Sequence, residues 1–85
     1  MNITDVRVFL TSRGGATKAF ASVTFDDCFV VKDLRIVDGK NGLFVAMPSR
    51  RDQSGEFRDI CHPINTETRN CIQDAVLDKY NQEIA

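Results

Sequence analysis

Thr17-Lys18-Ala19-Phe20-Ala21-Ser22-Val23-Thr24-Phe25 decides the fold. Ala19, Ala21, Val23 and Phe25 fall on one side of an extended chain, with Lys18, Ser22 and Thr24 on the other. That period of two belongs to a strand covered on one face. Upstream, Ile3 to Leu10 repeats the pattern, with Val6, Val8 and Leu10 opposed to Asp5, Arg7 and Phe9, and Thr11-Ser12-Arg13-Gly14-Gly15 forms the turn between the two strands. Downstream, Asp26-Asp27 is a tight connection and Cys28 to Val37 resumes as a long strand. The polar pair Lys32-Asp33 breaks its apolar pattern and predicts a bulge or twist. Asp38-Gly39 and Asn41-Gly42 are hairpin signals, after which Leu43 to Met47 returns as a fourth strand. Pro48 closes it, since its ring removes a ladder donor.

Ser49 to Glu56 is polar, includes Gly55 and reads as an exposed loop, and Phe57 to Cys61 can add a short fifth strand. A helix over residues 66–82 follows, with Asn65 as its N-cap, Glu67 at the positive end of its dipole and Lys79 near the negative end. Ile72, Ala75, Val76 and Tyr80 make an apolar stripe that Leu77 and Ile84 widen, broad enough to cover a sheet and still touch a second subunit. The expected architecture is α+β, an antiparallel four- to five-stranded meander followed by a C-terminal helix, in a single domain over 1–85.

Length and composition bound the function. The 85 residues are 27% charged and 42% hydrophobic, and eleven Lys and Arg against twelve Asp and Glu leave a net charge of −1. A protein coated in basic residues is excluded, so any anion site is a local patch. No run reaches the roughly 18 apolar residues of a membrane span, and no signal-peptide core is present, so the expected address is the cytoplasm, away from membranes. A domain of this size buries only roughly 60–65% of its unfolded surface, and self-association is one way to bury more.

Catalytic and metal constellations are missing from the pattern. Arg13-Gly14-Gly15 lacks the Lys and the Ser or Thr of a phosphate loop. Cys28, Cys61 and Cys71 are too few for a disulfide scaffold and read as packing thiols, and Cys61-His62 has no ligand pair at zinc spacing. No catalytic residue, metal, cofactor or small-molecule substrate is expected. The informative segment is Met47 to Arg58, where Arg50, Arg51 and Arg58 flank one polar stretch with Ser49, Gln53 and Ser54. Guanidinium forks suit phosphate oxygens and guanine edges alike. Against this, residues 50–59 also hold Asp52, Glu56 and Asp59, which could pair with Arg51 and Arg58 in a merely solvated hairpin. Arg7, Arg13 and Lys18 form a second basic cluster.

The run Asp38-Gly39-Lys40-Asn41-Gly42-Leu43-Phe44-Val45-Ala46-Met47-Pro48-Ser49-Arg50-Arg51 closely resembles the stage V sporulation protein G (septation protein SpoVG) family. Gly55 to Ile60, His62 to Asn65, Ile72 to Leu77, Thr4 to Arg7 and Phe29 to Asp33 extend the resemblance over about residues 3 to 80. The resemblance implies a small bacterial regulator without enzymatic activity, which binds DNA and RNA as a homodimer. It further implies roles in septation and sporulation, or in control of virulence and envelope genes. Carried over by position, it points to Arg50 and Arg51 as nucleic-acid contacts, then to Arg58 and Arg69. The chain departs from the family pattern at Ser54 (usually Asp), at Asp52 beside the two arginines, and at Asn70-Cys71, where relatives often carry Gly-Lys. Cys61 commonly corresponds to a small residue such as Ala. The alternative is a protein-interaction adaptor of the division or envelope machinery, using the apolar helix stripe.

Overall fold

The computed structural model describes residues 2–11 and 15–84; Ser12, Arg13 and Gly14, in the predicted first turn, lie outside the described residues. Strands β1 (Ile3–Leu10), β2 (Thr17–Phe25), β3 (Phe29–Gly39) and β4 (Gly42–Ala46) form an antiparallel meander in the order β1-β2-β3-β4. Two short strands, β5 (Ser49–Arg51) and β6 (Phe57–Asp59), form a separate ribbon, and α1 (Thr66–Ile84) ends the chain. The fold is α+β, as expected. The segment read as a loop is half strand, however. Ser49 to Arg51 pairs with the proposed fifth strand, and neither joins the meander.

Alternation fixes the register. On the inner face Leu10, Ala19, Ile36 and Val45 lie side by side across all four strands, and Val8, Ala21 and Leu34 make the next row. A one-residue slip would turn these rows to solvent, so burial of a single face holds the pairing. Ile72, Val76 and Tyr80 of the helix complete this core, and α1 packs on β1, β2 and β4. The Gln73 side chain reaches the outer edge of β4, its Oε1 accepting from the Val45 N–H at 3.5 Å. Asn65 caps the helix as expected, its Oδ1 accepting from the Thr68 N–H at 2.7 Å. The helix runs on to Ile84, so Lys79 is not in its last turn and pairs instead with Glu83.

The expected irregularity in β3 is a bulge. Asp33 sits at φ 66°, and the β2–β3 register shifts between Ala21 and Val23. This extra residue returns Leu34 and Ile36 to the inner face after the polar pair. The β2–β3 turn takes positive φ at both Asp26 (52°) and Asp27 (54°), with the Cys28 N–H donating to the Phe25 carbonyl at 3.0 Å. Two positive φ values match the right-handed twist of a hairpin. Asp-Asp supplies them here because the turn is tied to the N-terminal segment. The Asn2 N–H donates to Asp26 Oδ1, and the Asp27 N–H to Thr4 Oγ1. Gly39 answers a different need, since a Cβ there would stand 2.9 Å from the Phe44 ring.

Candidate nucleic-acid interface

The β5–β6 ribbon stands apart from the sheet and carries the three arginines of the central motif. Arg50 lies opposite Arg58, Arg51 opposite Phe57 and Ser49 opposite Asp59. Its base is closed by the Ile60 N–H, which donates to the Pro48 carbonyl at 2.7 Å. At its tip, Asp52 organises the turn. Asp52 Oδ1 accepts from the Ser54 N–H (2.9 Å), the Ser54 hydroxyl (2.7 Å) and the Glu56 N–H (3.0 Å), and Gly55 supplies the positive φ of 87°. Asp52 Oδ2 takes the Arg58 Nε–H at 2.7 Å, and Glu56 stands 3.8 Å from the same guanidinium.

The Ser54 hydroxyl first, and the Arg58 guanidinium second, lower the Asp52 carboxyl from 3.8 to about 2. A group whose folded pKa is depressed supports the fold above its unfolded pKa and loses that support as pH falls through the folded value. The turn is therefore expected to stay ordered down to about pH 4 and to open as pH falls through about 2. Ser54 and Glu56 amide resonances followed by NMR should hold steady and then move with a midpoint near the lower value. A midpoint near 3.8 would mean that Ser54 and Arg58 do not hold the carboxylate.

The three arginines thus differ in what they are free to do. Arg58 is committed to the turn acids, so the pairing weighed from charge counting holds for it. Arg51 pairs with no carboxylate among the described residues. Its guanidinium carbon lies 5.0 Å from the Phe57 ring centroid, a cation–π contact that orients the fork and leaves its N–H groups open. Arg50 is exposed and has no carboxylate partner among the described residues. All three border one groove of about 540 Å³ with Gln53, Asp59 and Ile60. An anion entering it meets the open forks of Arg50 and Arg51, an Arg58 already balanced by Asp52, and the Asp59 carboxylate at the groove's edge.

Arg69 does not border that groove; it lies exposed near the start of α1. In the second basic cluster, Arg7 donates through Nε to Asp5 at 3.1 Å, Lys18 is half-buried and Arg13 lies outside the described residues. The cysteines correct an expectation. Cys28, Cys61 and Cys71 are all exposed, because they fall at a turn, in the linker before α1 and on the outer side of the helix. Phe57 was not singled out from the sequence, although an aromatic residue opposite Arg51 is a legible signal once the pairing is known. Of the helix stripe, Ile72, Val76 and Tyr80 are buried against the sheet and Leu77 packs at its edge as expected, while Ile84 is exposed. Among the described residues no helix is long and apolar enough to cross a membrane.

Comparison with known proteins gives a consistent result. The SpoVG family model matches residues 1–82. A relative from Caldicellulosiruptor bescii, named "Putative septation protein SpoVG", is 55% identical over 85 residues, covering 100% of this chain and 97% of its own. Relatives of the same name from Clostridium perfringens and Bacillus velezensis are 58% and 57% identical over 82 residues. Each alignment covers 96% of this chain, with 91% of the Clostridium protein and 84% of the Bacillus protein.

Proposed function

Because the chain belongs to the SpoVG family, we propose that it is a non-enzymatic, cytoplasmic regulator that binds DNA and RNA through the β5–β6 ribbon as a homodimer. The observation that carries this reading is the pair Arg50 and Arg51. They are exposed guanidinium groups on a projecting ribbon where Arg58 engages two of the three nearby acids, Asp52 and Glu56, and leaves Asp59 beside the groove. Phosphate contacts from such forks position a protein on a nucleic acid, and the oriented Arg51 adds the option of a base edge. The septation role in the relatives' names gives the regulator its setting, control of division, sporulation or envelope genes.

Two protomers would double the basic surface. The β1 edge, eight residues long and paired only with β2, is the natural joint, since an open edge seeks a partner. A mobility-shift titration at low salt, with a duplex and a single strand, tests the reading directly. Saturable complexes with both are expected, and no complex with either rejects it. The adaptor reading keeps one support, the exposed Ile60 and Ile64 beside the ribbon (65% and 90% exposed). Apolar docking there would barely respond to salt.

A further inference from the structure

The meander carries its helix on one face, and the opposite face is not the polar surface that alternation would leave to solvent. Register places Phe9 beside Phe20, and Phe20 beside Arg35, so two rings and a guanidinium run across three adjacent strands. Phe9 is 59% exposed and Phe20 40% exposed. Both rings line an open groove of about 470 Å³, which Arg7, Ser22, Val30 and Lys32 also border. Lys18 and Arg35 alternate with the buried Ala19, Leu34 and Ile36 and so belong to the same face. Two carboxylates share the groove. Asp5 is engaged by Arg7, and Asp33 sits on the bulge.

Exposed rings interleaved with cations on a four-stranded sheet suit an unpaired polynucleotide. Its bases stack on the aromatic faces while its phosphates meet the cations. A duplex cannot use the rings, because its bases are already stacked on one another. We propose that this face is a second nucleic-acid site, selective for single strands, with Phe9 and Phe20 as stacking platforms and Lys32 and Arg35 as phosphate contacts. It rests on the nucleic-acid reading of the ribbon and adds to it the form of the ligand. Charge complementarity favours this occupant over a second copy of the chain. A symmetric contact through the face would bring Arg7, Lys18, Lys32 and Arg35 of one copy close to the same four cations of the other, with only Asp5 and Asp33 from each copy to offset them.

The test uses the full chain with a labelled ten-residue oligothymidine and a labelled duplex of twenty base pairs. Phe9→Leu with Phe20→Leu keeps the apolar bulk and removes the rings. Oligothymidine binding should weaken at least about ten- to a hundredfold, the range for loss of aromatic stacking under one base, and duplex binding should stay within about twofold. Lys32→Glu, at an exposed position with no apolar change, should also weaken single-strand binding selectively. If the Phe variant keeps its oligothymidine affinity while Arg50→Ala with Arg51→Ala loses it, the sheet site is wrong and the ribbon reading survives. If wild-type protein binds neither ligand, both fall. Equal loss on both ligands, or a dimer that the Phe variant converts to monomer in light scattering with oligothymidine affinity intact, overturns the proposal. The latter result would make the face a joint between copies.

Discussion

Replacing Arg50 and Arg51 together by alanine is expected to weaken duplex binding by about three orders of magnitude without unfolding the protein. Each exposed cation–phosphate contact is worth about 1 kcal/mol, and the proposed dimer would lose four of them, or about 4 kcal/mol. The log–log salt slope should become shallower by about 3.6, at 0.9 for each phosphate contact removed. Stability should change little, because both side chains are exposed and the ribbon's turn is held by Asp52 and Arg58 instead. The Arg51–Phe57 contact is the one interaction lost, about 0.5–1 kcal/mol at an exposed site. A double variant that binds as tightly as the parent would falsify the assignment of the ribbon.

Leu34→Ala is expected to be the most damaging conservative change to the fold. Leu34 is 1% exposed, lies beside Ala21 in the inner row and follows the bulge residue Asp33. Truncating a buried leucine costs about 2–5 kcal/mol, part transfer and part cavity. In a domain of this size that lowers Tm by about 8–40 °C, at about 4–8 °C for each kcal/mol. Circular dichroism melting reads it directly. A drop of only a degree or two would mean that Leu34 does not face the core, and hence that the bulge does not restore the inner-face phase of β3. At temperatures where the variant is folded its duplex affinity should match the parent's, because β5 and β6 pair with each other and not with the meander.

The meander is legible in the sequence wherever one face is buried. Ala19 to Phe25 alternate because the helix covers one side of β2, and the Lys32-Asp33 interruption marks the bulge for the same reason. Asn65 announces the helix because capping is local chemistry. The ribbon was hidden because its strands have no buried face and hence no alternation. Its shape comes from one side chain, Asp52, which accepts hydrogen bonds from residues two and four positions on and an ion pair from six. In the sequence that residue is simply an acid beside two arginines. The division of labour among Arg50, Arg51 and Arg58 depends on pairing register, which charge counting cannot see. Phe20 is legible in the sequence as a large apolar residue in the polar phase of β2. The cysteines misled because small apolar residues usually pack, whereas these three occupy a turn, a linker and an outer helix face.

The measurement that bears most directly on the central claim is the affinity of the unmodified protein for a duplex oligonucleotide as a function of salt. Four to six phosphate contacts per dimer predict a log–log slope of about −4 to −5. An affinity that is flat with salt, or no binding even in dilute buffer, would contradict the claim that Arg50 and Arg51 grip a polyanion.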